Sequence, residues 1–77
     1  MSLDLINIIF GMKVRQARLE AGLTLTDLAR QAEMSPSYLT EIEKGRKYPR
    51  ADKIVKMAEA LSKPYDDLVS IRLAPSL

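Results

Sequence analysis

The chain has 77 residues, of which 47% are hydrophobic and 29% charged, and its formal net charge is +2. A chain of this length builds one small domain and leaves no room for a separate catalytic lobe. Because it contains neither cysteine nor histidine, it has no disulfide, no thiol or imidazole catalyst, and neither of the usual transition-metal ligands. We therefore expect a single domain over residues 1–77 that is not an enzyme and holds no metal or cofactor.

The sequence predicts neither a membrane segment nor a secretory signal. No stretch approaches the roughly 20 apolar residues of a membrane span. The apolar run LDLINIIF at residues 3–10 lacks the basic flank and the small-residue cleavage site of a signal peptide. We expect a cytoplasmic protein without a membrane partner.

The first two helical patterns lie within residues 8–32. The first helix covers about residues 8–21, and its apolar positions recur at helical spacing: Phe10, Val14, Ala17 and Ala21. Gly22 is a natural stop for it. Thr24 can cap a second helix that ends near Gln31 or Ala32, with Asp27 as the acid of a short capping box. The predicted buried positions of this helix are Leu28, Ala29 and Ala32.

A third helix is predicted only about four residues after the second. Ser35 followed by Pro36 is a strong start signal, because serine accepts a hydrogen bond from an unpaired amide and proline tolerates the first helical position. The helix runs to about Lys44, and Gly45 ends it. Two helices joined this tightly cross at a steep angle, and such a pair can present its second helix to a DNA groove.

Two further helices are predicted after residue 50, and no segment has the period-two alternation of a strand. The fourth helix has apolar residues at i, i+3, i+4 and i+7: Ile54, Met57, Ala58 and Leu61. Pro64 opens the fifth, in which Asp66 and Asp67 complement the positive end of the helix dipole. Leu68 and Val69 are predicted to face inward. The expected fold is therefore all-α, a compact bundle of five helices.

The third helix has two distinct faces on a helical wheel of about 100° per residue. Leu39 and Ile42 lie on one face, and the opposite face is polar: Ser37, Thr40, Glu41 and Lys44. Serine and threonine can bond base edges in the major groove, and glutamate can accept from a cytosine amino group. The alternative is an ordinary solvated face. The tight turn before this helix and the basic loop after it favour DNA.

Positive charge is concentrated directly after the third helix. Residues 44–56 carry six basic groups and one acidic group. The basic ones are Lys44, Arg46, Lys47, Arg50, Lys53 and Lys56. Such a cluster on its own is usually a solvated surface, but its position beside the two-helix unit favours a polyanion.

Two charged residues lie on faces that the wheel predicts to be buried. Arg18 shares the stripe of Phe10 and Val14, and Glu43 lies near Leu39. An unpaired buried charge is costly. We therefore predict that Arg18 and Glu43 form an ion pair that ties the first helix to the third.

The stretch from about Phe10 to Val69 resembles the phage-repressor and Cro-like helix-turn-helix family, often called the XRE family. The matching segments are FGMKVRQARLEAGLT, LARQA, MSPSYLTEIEKG, YP, KIVKMAEAL and DDL. The resemblance implies the lambda-repressor-like bundle of five helices, in which helices two and three form the helix-turn-helix. It also implies the pair between Arg18 and Glu43, and a homodimer on a roughly two-fold symmetric double-stranded DNA operator.

The resemblance assigns DNA contacts to two groups of residues. The base-facing positions fall on Pro36, Ser37, Thr40 and Glu41. The phosphate-facing positions fall on Thr26, Ser35, Tyr38, Lys44, Arg46 and Lys47.

Three residues depart from the pattern of the family. Many members have a glutamine at the position of Leu25, and leucine cannot donate its hydrogen bond to the DNA backbone. Glu33 stands where members commonly have glycine, so a positive φ there would cost on the order of 1 kcal/mol. Pro36 can offer a base only an apolar contact, for instance to a thymine methyl group.

The leading hypothesis is a sequence-specific transcriptional regulator, such as a repressor, that reads the major groove with residues 35–44. The alternative is a protein-interaction module, of the antitoxin or adaptor type, on the same fold. Its support is apolar material outside the core region 10–69, in extensions 1–9 and 70–77: Leu3, Leu5, Ile6, Ile8, Ile9, Ile71, Leu73 and Leu77. We expect these extensions to form a homodimer seam rather than a site for a foreign partner.

Overall fold

The computed structural model of the protein describes residues 4–71, and within this range the fold is all-helical, as predicted. The five helices are α1 (Leu5–Glu20), α2 (Leu25–Gln31), α3 (Pro36–Glu43), α4 (Ala51–Leu61) and α5 (Tyr65–Val69). The long α1 packs against α3 and α5, and α2 packs against α3 and α4. The two short helices α2 and α3 are therefore held between α1 on one side and α4 on the other.

The core is formed by buried apolar side chains from all five helices: Phe10, Val14, Ala17, Leu28, Ala29, Ala32, Leu39, Ile42, Ile54, Met57, Ala58, Leu61 and Leu68. Each large aliphatic or aromatic side chain among them contributes about 2 kcal/mol through its burial. The predicted apolar stripes lie in this core except for Ala21, which is exposed, and Val69, which is half-buried. Among residues 4–71, no helix combines the length and hydropathy needed to cross a membrane.

The first helix ends before Gly22 as predicted, but the prediction of its start was wrong. Asp4 caps the helix by accepting a hydrogen bond from the amide of Ile6 at 2.9 Å, so α1 begins at Leu5 rather than near residue 8. Residues 5–9 are thus the first turns of α1 and not an extension. Ala21 is exposed because it is the C-cap, beyond the last helical turn. Residues 1–3 and 72–77 of the predicted extensions lie outside the described part of the chain.

The first four helices end in the same hydrogen-bonded motif, which contains one left-handed residue after the helix. At the end of α2, the amide of Met34 donates to the carbonyl of Ala29 at 2.9 Å, and the amide of Glu33 donates to Arg30 at 3.1 Å. The left-handed residues are Gly22, Glu33, Gly45 and Ser62, with φ between 55° and 79°. The two glycines adopt this conformation without strain, whereas Glu33 and Ser62 each carry a cost of about 1 kcal/mol.

Two lysines of α4 hold the strained turn at Glu33. Lys53 Nζ donates to the Glu33 carbonyl oxygen at 2.7 Å, and Lys56 Nζ lies 3.0 Å from Glu33 Oε2. The hydrogen bond and charge of Lys56 lower the pKa of the Glu33 carboxyl. The left-handed backbone at Glu33 is therefore fixed from a helix outside the helix-turn-helix.

The helices α1 and α3 meet closely at Gly11, which is buried. A Cβ atom at this position would overlap the carbonyl oxygen of Ile42 and lie 2.9 Å from the carbonyl oxygen of Glu43. Both obstructing atoms belong to the backbone, so neither can rotate away. Only glycine permits this separation between α1 and α3.

Candidate nucleic-acid interface

The turn between α2 and α3 consists of residues 32–35, and both helices have the caps that the sequence predicts. Thr24 Oγ1 accepts from the amide of Asp27 at 3.0 Å, while the Asp27 carboxylate accepts from the Thr24 amide at 3.1 Å. Ser35 Oγ accepts from the amide of Tyr38 at 3.1 Å, and Pro36 occupies the first turn of α3. These local bonds define where α3 begins, and hence which residues stand at its exposed N-terminal end.

The four predicted base-facing residues lie on the side of α3 away from its buried side chains. Pro36 and Ser37 at the start of the helix are exposed, and Thr40 and Glu41 one turn later are half-buried. Glu41 Oε2 lies 3.4 Å from Arg46 Nη1 in the following loop. The structure thus brings all four residues to one face, with a cation beside the only carboxylate among them.

The predicted phosphate-facing residues flank this face. Thr26 is exposed in the first turn of α2, and Ser35 is exposed while it caps α3. Tyr38 is half-buried and packs against the core, with Lys47 Nζ 5.7 Å from the centre of its ring. Lys47 is therefore held near the start of α3 by a cation–π contact, although it lies beyond the end of that helix in sequence.

The loop after α3 is anchored to α1 by aromatic packing. The ring centres of Tyr48 and Phe10 are 4.8 Å apart, and Pro49 is buried. Desolvation by burial raises the pKa of the Tyr48 hydroxyl above its ordinary value. This packing fixes the loop that carries the exposed side chains of Arg46 and Lys47.

The basic cluster that the sequence shows as one run is divided by the fold. Lys53 and Lys56 bind Glu33, in the turn between α2 and α3. Lys44, Arg46, Lys47 and Arg50 are exposed at the end of α3 and in the loop after it. Sequence position alone does not distinguish the two groups, because Glu33 is 20 residues from Lys53 and even farther from Lys56.

The structure brings Arg18 and Glu43 together in a two-pronged ion pair. Arg18 Nε and Nη2 donate to the two carboxylate oxygens of Glu43 at 2.7 and 3.1 Å. Arg18 Nη1 donates to the carbonyl of Leu23 at 3.1 Å. The side chains are 11% and 7% exposed, and the bond to Glu43 raises the pKa of Arg18 against the opposing effect of burial. The pair fixes the end of α3 against α1 and the turn after α1.

The comparison with protein families decides the identity of the fold. A family model described as Helix-turn-helix matches residues 14–68, more than half of the chain. The chain belongs to this family. The matched segment contains α2 and α3, both members of the ion pair, and all the predicted DNA-facing residues.

Several members of the helix-turn-helix family are similar to this chain over most of its length. Transcriptional regulator ClgR of Mycobacterium tuberculosis is 37% identical over 60 residues, which cover 78% of this chain and 54% of the relative. The chain thus spans about half the length of that relative. Control protein C.BamHI of Bacillus amyloliquefaciens is 34% identical over 65 residues, covering 83% and 80% of the two chains.

The fold is also similar to a crystal structure of the clp gene regulator ClgR from Corynebacterium glutamicum. That structure superposes with a TM-score of 0.83 and 30% sequence identity. The match covers 91% of this chain and 74% of the other. The predicted fold class is therefore confirmed.

Proposed function

We propose that this helix-turn-helix domain binds double-stranded DNA in a sequence-specific manner and acts in transcriptional regulation, for instance as a repressor. The observation that carries this proposal is the outer face of α3, where the exposed Ser37 and the half-buried Thr40 and Glu41 stand next to the exposed cations of the following loop. The opposite face is fixed by Leu39 and Ile42, which are fully buried. Similarity to proteins named as transcriptional regulators and control proteins supports it. We do not assign a catalytic role or a cofactor to any residue.

Base recognition in this proposal depends on α3. Ser37 and Thr40 would donate to or accept from base edges, and Glu41 would accept from a cytosine amino group. Pro36 would contribute an apolar contact. Because Arg46 lies 3.4 Å from Glu41, it offsets the repulsion that the phosphates would exert on this carboxylate.

Phosphate binding in this proposal depends on residues on either side of α3. They are Thr26, Ser35, Tyr38, Lys44, Arg46 and Lys47. Each neutralised phosphate lowers the slope of log affinity against log salt by about 0.9. Three to five such contacts per subunit would make binding fall steeply with salt.

We further propose a cytoplasmic homodimer on a roughly two-fold symmetric operator. Leu5, Ile6 and Ile71 are 67%, 49% and 59% exposed, which supports a seam built from the apolar ends of the chain. A C2 seam would place two copies of α3 on successive major grooves, about 34 Å apart.

Selection from a random pool of duplex DNA tests the proposal. The enriched motif should contain two half-sites related by symmetry, and Ser37→Ala or Glu41→Ala should change the preferred bases. Lys47→Ala should weaken all duplexes to a similar extent, because it contacts the backbone. Glu59→Ala, which removes an exposed acid of α4, is the matched control and should leave the motif unchanged. If no duplex is enriched at moderate salt, the proposed function is wrong.

One observation favours a second candidate, a protein-interaction module. Leu5, Met12 and Leu19 are spaced seven residues apart on α1 and are 67%, 58% and 53% exposed. Such a stripe suits a partner helix or a second copy. Sedimentation distinguishes a homodimer from a module that binds a foreign protein, because a stable homodimer that covers this stripe leaves no apolar surface there for another protein.

A further inference from the structure

We propose that Arg15 and Lys44 together bind one phosphodiester of the DNA backbone, in a cleft beside the outer face of α3. The proposal rests on the DNA-binding function proposed above and adds a residue of α1 to the interface. It also places two cations beside Leu25, which stands where many family members have a glutamine.

The cleft lies where α1, α2 and α3 meet, and its volume is about 410 Å³. It is lined by Arg15, Arg18, Leu25, Thr40, Glu43 and Lys44. Thr40 also belongs to the face proposed to read bases. A DNA strand that borders the major groove occupied by α3 would therefore pass close to this cleft.

The charge of the cleft is unbalanced in favour of an anion. Three cations and one carboxylate line it, which leaves a formal charge of +2. Glu43 is fully engaged by Arg18, with both oxygens accepting hydrogen bonds. The side chains of Arg15 and Lys44 form no hydrogen bond or ion pair with any residue in the range 4–71. Their two charges remain available.

The neighbouring acid of α1 does not pair with Arg15. Glu20 shares a second cleft with Arg15, but within residues 4–71 its side chain forms no ion pair, and its Oε2 accepts a hydrogen bond from Gln16 Nε2 at 3.2 Å. Arg15 stands one turn before Arg18, so the two guanidinium groups emerge on neighbouring parts of α1. The side chain of Arg18 is 11% exposed and engaged in the ion pair, whereas Arg15 is exposed to solvent.

The chemistry of the two cations suits a phosphodiester. Arginine presents a planar pair of N–H groups that matches two phosphate oxygens, and lysine adds a point charge. Leu25 is half-buried and packs against the core, so it gives the cleft an apolar wall without a donor. The two cations therefore replace the hydrogen bond that leucine cannot make.

The test compares variants that each remove one charge. Arg15→Gln is the test variant, and Lys63→Gln is the matched control. Arg15→Lys keeps the charge but lacks the planar pair of N–H groups. Lys63 is exposed beyond the end of α4, at the opposite end of that helix from Lys53. Affinity for a mixed-sequence duplex of about 24 base pairs, long enough for two half-sites one turn apart, is measured over a range of salt concentrations. Unchanged thermal unfolding of each variant checks that the fold is intact.

We expect Arg15→Gln to weaken binding about tenfold and to reduce the salt slope by about 0.9 per subunit. Lys63→Gln should have a much smaller effect, and Arg15→Lys should restore the slope but only part of the affinity. Ethylation of one backbone phosphate in the selected operator should weaken binding by the wild type. The same ethylation should have no effect on binding by Arg15→Gln.

Two negative results have different meanings. If the wild type binds the duplex but Arg15→Gln behaves like Lys63→Gln, the phosphate site is refuted and the DNA-binding function stands. If the wild type binds neither the mixed duplex nor any selected sequence, both proposals fail.

Discussion

The substitution Gly11→Ala should destabilise the protein, although alanine is the better helix former. In an ordinary helix interior this change stabilises by about 0.5–1 kcal/mol. Here the new methyl group would overlap the carbonyl oxygen of Ile42 and approach that of Glu43 to 2.9 Å. Relieving the overlap requires α1 and α3 to move apart, and overpacking of this kind costs about 3 kcal/mol at the upper end of its range. The expected net loss is about 2 kcal/mol.

Urea unfolding followed by circular dichroism measures this loss, and thermal unfolding should show a midpoint about 10 °C lower. Gly22→Ala is the matched control, because Gly22 has a φ of 72° but open space around its Cβ position. Its cost should be about 1 kcal/mol, from the left-handed conformation alone. Gly11→Ala should also weaken DNA binding under conditions where it is folded, since α3 would shift. A Gly11→Ala variant as stable as the wild type would refute the close approach of α1 and α3.

Three other predictions concern the contacts that hold the helix-turn-helix. Arg18→Ala or Glu43→Ala should each cost about 3 kcal/mol by leaving a buried charge unpaired, and a double-mutant cycle without coupling would contradict the ion pair. Glu33→Gly should change unfolding free energy by less than about 1 kcal/mol, because relief of the left-handed strain offsets the lost exposed ion pair; strong destabilisation would contradict this. Hydrogen bonds from Thr24 lower the pKa of Asp27 in the folded state, so its stabilising effect exists at neutral pH and is lost as the pH falls below about 4. Asp27→Asn should therefore reduce the fall in melting temperature on acidification. If the melting temperature of Asp27→Asn falls with pH as much as that of the wild type, this capping box is contradicted.

The starts of α2 and α3 and the core could be predicted because their signals are local. Thr24 and Ser35 cap the helices that follow them, and the apolar stripes mark the buried faces within each helix. The pair of Arg18 and Glu43 could be predicted for a different reason. Both charges fall on helix faces that are otherwise apolar, and because an unpaired buried charge is costly, the two are expected to contact each other. The resemblance to a known family implied the same pair independently.

The errors and omissions come from contacts between distant parts of the chain or from weak local signals. The start of α1 depends on Asp4, whose capping role is hard to see beside a continuous apolar run. From sequence alone, Gly11 is only a residue that mildly destabilises its helix. Glycine is required at this position because the backbone of α3 packs against it, which its sequence neighbours do not reveal. Lys53 resembles the other members of a basic cluster until the fold places it against the carbonyl of Glu33.

The contacts that orient α3 are separate from the face proposed to read DNA. Gly11 sets its distance from α1, Arg18 holds its C-terminal end through Glu43, and Lys53 fixes the turn before it. Ser37 is exposed and takes no part in these contacts. Substitutions on the outer face can therefore change the preferred sequence with little effect on stability, whereas substitutions in the supporting contacts would weaken binding to all sequences by moving the whole helix. With the proposed binding face, this separation would let one bundle support different DNA specificities.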